Sequence, residues 1–180
     1  MGSRTRNRFS TLESPHSQGM EETPLHKLVT GETVVPLSGN DIVAFLDGEV
    51  NLVMESSLTK NMTVDDLVGK HNALILLYHD DRDVGHWVAG WKDGDTYHHF
   101  DAYGEPPQGE IYMYILDKGS YVYNDVPYQM RDLATCGRHA MVRLGLKRFS
   151  DEEYQQSFPP RKADKMVTLM TLQTSLNTIK

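Results

Sequence analysis

The sequence predicts an α+β domain from the order of its elements. Helix-like segments come first, a cluster of strand-like segments occupies the middle, and helix-like segments return at the end. A length of 180 residues fits one domain with a sizeable core, and no internal repeat is present. Residues 1–22 are rich in polar residues, Gly and Pro, with almost no apolar periodicity. We therefore expect a disordered arm or linker over residues 1–22 and a single folded domain over residues 23–180.

Capping residues and an aliphatic run predict the first elements. In "LSGNDIVAFLDG", residues 38–40 can cap a short apolar helix that Gly48 ends. "TVDDLVGK" predicts a second short helix, which Thr63 caps and which carries acids in its first turn. "ALILLYHD" holds four consecutive aliphatic residues between Asn72 and an acidic turn at 80–83. Such a run is typical of a strand that is buried on both faces.

A hairpin is predicted in the middle of the chain. "GHWVAGW" and "DTYHHFDAYG" flank the turn "KDGD", in which Asp93-Gly94 is a strong hairpin signal. Apolar residues between Ile111 and Leu116 then predict a helix, and "YVYND" around residue 121 predicts a short strand.

Three helices are predicted toward the end of the chain. The first covers residues 136–147. The second opens at a capping box formed by Ser150 and Glu153 and runs to about Ser157. Pro159-Pro160 breaks it, and "ADKMVTLMTLQTSLNTIK" then predicts a last amphipathic helix.

Composition and charge exclude several classes of function. The net charge of −7 disfavours general nucleic-acid binding, which needs a basic surface. Acids concentrate between residues 80 and 110, as a solvated face or as a surface that attracts a basic partner. No run of 18 apolar residues predicts a membrane span, and the N-terminus lacks the apolar stretch of a secretory signal. A single cysteine cannot form an internal disulfide, which suits the cytosol, the nucleus or a virion assembled there.

The single cysteine, Cys136, lies where a nucleophile could be activated. It falls at the start of a predicted helix, where unpaired N–H groups and the helix dipole favour a thiolate. In the predicted hairpin, the start of one strand lies beside the end of the next, so His86 and Asp101 become neighbours. A carboxylate beside a histidine fixes the tautomer of a general base. Gln129 could present its amide to a developing oxyanion.

These motifs resemble a known family. "GHW", "FDAYG" and a Gln seven residues before the Cys of "TCGRHA" are similar to the adenovirus-protease and ubiquitin-like-protease group of cysteine proteases. The resemblance covers roughly residues 70–145. "VGHWVAGW", "HHFDAYGEPP" and "YNDVPYQ" also resemble maturation proteases of adenovirus-like elements, including virophages. The resemblance implies a small mixed sheet with helices packed around it and the nucleophile at a helix N-terminus.

The resemblance also implies an activity and the roles of six residues. Cys136 would be the nucleophile, His86 the base and Asp101 its orienting acid, with Gln129 in the oxyanion hole. Trp87 and Gly137 would bind substrate, and Trp87 would help wall a narrow groove beside the scissile bond. Cleavage after small, glycine-type residues is expected, with no metal or organic cofactor. The substrate would be a polypeptide in the host cytoplasm, the nucleus or the virion, and a DNA activator stays open.

Several alternatives stay open at this point. The enzyme could be a viral maturation protease that trims capsid or core precursors, or a deubiquitinase or SUMO-type deconjugating isopeptidase. A non-catalytic binding module is the third hypothesis, although an inactive relative would be expected to have lost one of the four site residues. A metal site is disfavoured because one cysteine and scattered histidines lack the paired spacing of structural zinc. His139 is a weaker candidate for the base, because it shares a predicted helix with Cys136.

Overall fold

A computed structural model of the chain describes residues 36–79 and 85–172. The predicted arm at residues 1–22 and the predicted acidic turn at 80–83 lie outside these residues. Within them the α+β class is confirmed. The elements follow the predicted order of helices, then strands, then helices, except that a strand over Asn51–Met54, which the sequence did not predict, lies between the first two helices.

A five-stranded mixed sheet forms the centre of the described chain, with its strands in sequence order. Strands β1 and β2 are parallel, β2, β3 and β4 form an antiparallel meander, and β4 and β5 are parallel again. The predicted turn joins β3 to β4, with Asp93 paired to Thr96 and Gly94 at a φ of +55°. The strands are β1 Asn51–Met54, β2 Ala73–His79, β3 Gly85–Asp93, β4 Thr96–Phe100 and β5 Ser120–Tyr123.

Six α-helices surround this sheet in the described chain, and capping boxes open three of them. Ser38, Thr63 and Ser150 each accept from the backbone N–H three residues ahead, and the acid at that position binds the cap's own N–H. The helices are α1 Gly39–Phe45, α2 Val64–Val68, α3 Glu110–Leu116, α4 Cys136–Gly145, α5 Asp151–Ser157 and α6 Pro160–Met170.

The sheet separates two apolar clusters, because successive side chains of a strand point to opposite faces. In β2, Ala73 and Ile75 pack with helices α1, α4, α5 and α6, whereas Leu74 and Leu76 pack with α2 and α3. Both sets are buried. The strand predicted to be buried on both faces is therefore confirmed, and α4 lies on the first of these faces.

Besides the unpredicted strand β1, two features differ from the expectations. Helix α6 begins at Pro160, whereas the sequence placed its start after the Pro-Pro pair; Pro fits the first helical position because the N–H it lacks there has no intrahelical partner. The acids between residues 80 and 110 also do not all lie on a surface, since Asp101 is buried. Glu105 and Glu110 bind Arg131 and Lys60 at 2.8 Å each.

The described residues contain no helix that is both long and apolar enough to cross a bilayer.

Candidate active site

Cys136 is the first residue of α4 and is half-buried. Its sulfur has a hydrogen-bonding contact with His86 and with the backbone N–H groups of Trp87 and Gly137. Burial disfavours a thiolate here, but His86 and these N–H groups favour it more strongly. The pKa of the Cys136 thiol therefore lies below its ordinary value.

His86 connects the thiol to a buried carboxylate. Its Nε2 lies 2.9 Å from Oδ1 of Asp101, so the predicted cross-strand contact is present. Because Nε2 is occupied, Nδ1 is the ring nitrogen left to face Cys136. Burial opposes a charge on His86, but its contacts with Asp101 and Cys136 outweigh burial and raise the pKa of His86 to about 9. The pair thus favours an imidazolium beside a thiolate.

Asp101 is held in place by contacts to its backbone and its side chain. Asn124 binds the backbone of Asp101 twice, accepting from its N–H at 2.8 Å and donating to its carbonyl at 2.7 Å. The N–H of Tyr103 donates to Oδ1 of Asp101 at 2.7 Å. A buried carboxylate with these partners has little freedom to rotate, so the His86 ring it binds is also oriented.

Tyr103 contacts both His86, the predicted base, and Gln129, the predicted oxyanion donor. Its ring stacks on His86 with centroids 4.8 Å apart and an interplanar angle of 18°. Its hydroxyl accepts from Nε2 of Gln129 at 3.2 Å, and the same amide donates to the carbonyl of Leu133. Gln129 is buried near the site as predicted, but its N–H groups face these two acceptors rather than an open position.

The two predicted substrate-binding residues differ in their placement. Trp87 lines the groove at the site, and its Nε1 donates to the carbonyl of Leu37 at 3.1 Å. Gly137 is buried and lies against Trp87. A Cβ at this position would meet Trp87 and Ile42 at 3.2 Å each, so the close packing favours a residue without a side chain. What Gly137 offers the site is its N–H.

A groove of about 820 Å³ opens over the thiol. Both apolar and polar side chains line it, and the predicted residues Cys136, His86 and Gln129 lie in its wall. Its lining also includes Pro36, Leu37, Glu55, Tyr78, Tyr103, Gln108, Arg131 and Leu133. The described residues thus place the thiol within reach of an extended ligand.

Three other histidines, His98, His99 and His139, have partners of their own. His98 stacks on Trp91 with centroids 4.9 Å apart, while the buried His99 contacts the hydroxyl of Tyr112 at 3.2 Å. These neighbours therefore point to opposite faces of β4, as alternation requires. His139 is fully buried and binds Asp164, a residue of α6, at 3.0 Å. Over residues 36–79 and 85–172, no group of three or more His, Cys, Asp or Glu side chains could hold a metal ion.

Three residues that sequence reasoning did not place at the site contribute to it: Asn124, Tyr103 and Asp164. Asn124 had no predicted role at the site, yet it holds the backbone of Asp101. Tyr103 and Asn124 both lie in motifs that the sequence singled out, "FDAYG" and "YNDVPYQ", so the motif boundaries were the available signal. Asp164 carries no such signal, because it reaches the site from a separate helix.

A comparison with curated proteins identifies a relative. The chain is 30% identical over 166 residues to "Uncharacterized protein V9" of the Sputnik virophage. The match covers 77% of this chain and 95% of the relative. The chain belongs to the family of this virophage protein. The predicted resemblance to virophage proteins is thereby confirmed. No family model matches the chain.

Solved structures of the predicted protease group are also similar to the chain. One is the C-terminal protease domain of Ulp1 in complex with Smt3, the yeast orthologue of SUMO, with 13% identity and a TM-score of 0.42. The match covers 84% of this chain and 81% of that one. Another is the SUMO protease Ulp1 with its catalytic cysteine oxidised to a sulfinic acid, at 13% identity and a TM-score of 0.40, over 82% of this chain and 84% of that one.

Proposed function

We propose that this family member is a cysteine endopeptidase in which Cys136 is the nucleophile. The observation that carries the proposal is the contact chain from the thiol through His86 to the buried Asp101, at a helix N-terminus that opens into a groove. Each part serves one purpose. The helix N-terminus and the imidazolium favour the thiolate, the carboxylate fixes the ring, and the groove admits a polypeptide.

The reaction follows from these positions. The thiolate of Cys136 attacks a peptide carbonyl carbon, and the electron pair of the C=O bond moves to its oxygen. Backbone N–H groups beside the sulfur, including that of Gly137, stabilise this oxyanion. His86 gives its Nδ1 proton to the leaving amine as the C–N bond breaks, and a thioester remains on the sulfur. His86 then takes a proton from water as the water oxygen attacks the thioester carbon; the tetrahedral intermediate collapses, the C–S bond breaks, and the carboxylic acid departs from the thiolate of Cys136, which remains beside the imidazolium of His86.

Gln129 contributes after a local exchange of hydrogen bonds. Its side-chain amide donates to the hydroxyl of Tyr103 and the carbonyl of Leu133. To donate to an oxyanion, one of these N–H groups has to leave its present acceptor. A charged oxyanion is a stronger acceptor than a neutral carbonyl or hydroxyl, so the exchange is favourable once the tetrahedral intermediate forms.

The proposed biological role is the maturation of viral proteins. Membership of a family that includes a virophage protein supports a viral setting. The wall formed by Trp87 favours a slim residue next to the scissile bond, and so cleavage after glycine-type residues in capsid or core precursors. The proposed location is the host cell or the virion. No cofactor takes part in the proposed steps.

The proposal is tested with purified wild-type chain and the variants Cys136→Ala and Cys136→Ser. The substrates are fluorogenic peptides with Gly-Gly, Gly-Ala or Leu-Leu before the scissile bond, assayed with and without duplex DNA. Ubiquitin and SUMO probes with C-terminal electrophiles are run in parallel and read by intact mass. Since the chain has one cysteine, any thiol adduct is at Cys136.

Cleavage of the glycine-type peptides by wild type, lost in both variants, is the expected result. A covalent adduct with a ubiquitin or SUMO probe, without peptide cleavage, would replace the maturation role by deconjugation. A wild-type chain that neither cleaves nor forms an adduct, and whose thiol ignores iodoacetamide, would overturn the enzyme proposal.

A further inference from the structure

Residues 130–135, here called the approach loop, connect the predicted oxyanion donor Gln129 to Cys136. Most of this loop is exposed: Arg131, Asp132 and Ala134 face solvent. Within the loop, the N–H of Leu133 donates to the carbonyl of Met130 at 3.1 Å. The middle of the loop is held by Arg131, which binds Glu105 at 2.8 Å, and by the carbonyl of Leu133, which accepts from Gln129. A loop with so little buried surface relies on such contacts, including those at its ends, for a fixed shape.

Both ends of the approach loop bind the same carboxylate. Asp164 accepts from the backbone N–H of Met130 at 2.9 Å through Oδ2, and from the hydroxyl of Thr135 through Oδ1. Met130 follows Gln129 directly, and Thr135 precedes Cys136 directly. One side chain therefore contacts the neighbours of both the amide donor and the nucleophile.

His139, a residue of α4, is the third group that contacts Asp164. Its Nε2 lies 3.0 Å from Oδ1 of Asp164, and its ring is fully buried. Burial disfavours the charged carboxylate, but the donors His139, Thr135 and Met130 outweigh burial and hold the pKa of Asp164 below its ordinary value. Asp164 is thus an anion with each of its two oxygens engaged, and it cannot rotate without losing an end of the loop.

We propose that Asp164 is a positioning residue that sets the separation between Gln129 and the Cys136 backbone, and so shapes the oxyanion hole. This inference rests on the proposed function. Asp164 acts through the approach loop, and its contacts are with Met130, Thr135 and His139, not with the thiol. A displaced loop would misplace oxyanion donors, whereas the contacts of Cys136 with His86 come from β3 and would persist.

The test separates two reactions of the same sulfur. Alkylation by iodoacetamide displaces iodide at a saturated carbon and develops no oxyanion. Acylation by p-nitrophenyl acetate passes through a tetrahedral oxyanion and does not depend on peptide specificity. Both rates are measured for wild type and Asp164→Asn as a function of pH, with kcat and KM on the best peptide and the melting temperature of each protein.

For Asp164→Asn we expect acylation and kcat to fall by about tenfold or more, because an oxyanion donor that is misplaced loses most of its effect. KM and the rate and pH dependence of alkylation stay within about twofold, since the thiolate contacts are intact. Thr135→Val is expected to show the same split more weakly, and Thr135→Ser, which keeps the hydroxyl, to restore the wild-type rates.

A matched control is Asp151→Asn, which removes a carboxylate bound to the buried Arg143 at 2.9 Å in another part of the fold. It is expected to lower the melting temperature without changing the ratio of acylation to alkylation. The inference would be overturned if Asp164→Asn and Thr135→Val both kept the wild-type ratio of acylation rate to alkylation rate, whether the two rates stayed unchanged or fell together. Wild-type chain that is alkylated but never acylated would instead refute the proposed function, and this inference with it.

Discussion

The described part of the chain contains two His–Asp pairs with nearly the same contact distance, 2.9 Å for His86–Asp101 and 3.0 Å for His139–Asp164. Their surroundings differ. The side chain of His86 is 21% exposed and reaches the thiol, whereas that of His139 is 0% exposed and reaches only the interior. In the first pair the acid orients the histidine, and in the second the histidine supports the acid. What each pair can do depends on the group it contacts besides its own His and Asp: the thiol of Cys136 for the first pair, and the approach loop for the second.

This comparison bears on the choice between the two histidines. The sequence made His139 the weaker candidate only because it shares a predicted helix with Cys136, from which it lies three residues away. In the structure His139 also has a carboxylate partner, so a His–Asp contact does not by itself separate it from His86. Residues three apart on a helix lie on the same side, but His139 points into the packing between α4 and α6. His86 lies on β3 and contacts the sulfur of Cys136 in the wall of the groove. The structure thus supports His86 as the proposed base.

The largest expected effect on activity comes from His86→Ala in the first pair. Peptidase activity should fall by at least about 10³-fold, because the base, the proton donor and the imidazolium that supports the thiolate are lost together. The rate of iodoacetamide alkylation at pH 7 should also fall, since the pKa of Cys136 rises without His86. Alkylation followed by intact mass checks this. Activity within tenfold of wild type would remove His86 from the proposed mechanism.

The second prediction concerns His139→Ala, which should act mainly on stability. It leaves a cavity and removes a donor from the carboxylate of Asp164, at a cost of about 2–4 kcal/mol in the free energy of unfolding. Urea unfolding measures this. The pH profile of Cys136 alkylation should match wild type. A shifted profile would show that His139 takes part in the ionisation of the thiol, which would contradict the distinction between the pairs.

The third prediction is that the pairs lose their stabilising effect at opposite ends of the pH scale. The pKa of His86 is raised to about 9, so its contribution is fully present below its ordinary value near 6.5 and is lost as pH rises through about 9. The pKa of Asp164 is lowered, so its contribution is present above the ordinary carboxyl value near 4 and is lost as pH falls through the folded value.

Melting temperatures measured from pH 3 to pH 10 test this prediction. In His86→Ala the melting temperature should fall less steeply than in wild type as pH rises toward 10. In Asp164→Asn it should fall less steeply as pH drops toward 3. Each difference should amount to a few degrees. The same change in both variants would show that the pairs titrate as one unit. Because other carboxylates also titrate in acid, the comparison is with wild type at each pH.

The smallest expected effect comes from Tyr103→Phe. The ring that stacks on His86 is kept, and only the hydroxyl that accepts from Gln129 is removed. We expect kcat to change by no more than about threefold, since a single neutral hydrogen bond is involved. Tyr103→Leu, which also removes the stacked ring, should lower kcat further and change the pH dependence of alkylation. Equal kinetics in the two variants would show that stacking does not position His86.

Local signals explain why much of the fold was predictable. Capping boxes, the Asp93-Gly94 turn and the aliphatic run in β2 are interactions between residues close in the chain, and each was found where the sequence placed it. The spacing across that hairpin was also sufficient to bring His86 to Asp101. The start of α6 was misplaced because the Pro-Pro pair was taken only as a helix breaker, whereas α5 already ends at Ser157 and Pro160 is the first residue of α6.

What could not be predicted depends on tertiary packing. Asn124 holds Asp101 from 23 residues away, and Asp164 binds His139 from 25 residues away. No periodicity or motif connects such positions, because the connection exists only once α6 docks on α4 and β5 lies beside β4. The orientation of the Gln129 amide is equally a result of where Tyr103 and Leu133 lie.

The position of Asp164 has a consequence for the order of synthesis. A nascent chain that has been translated only as far as Gly145 already contains Cys136, His86, Asp101 and Gln129. It lacks the residue that holds both ends of the approach loop, because that residue lies in α6. All four proposed site residues are therefore synthesised before the residue that holds the approach loop. On this proposal, the site takes its final geometry only after α6 has been synthesised and has packed against the rest of the fold.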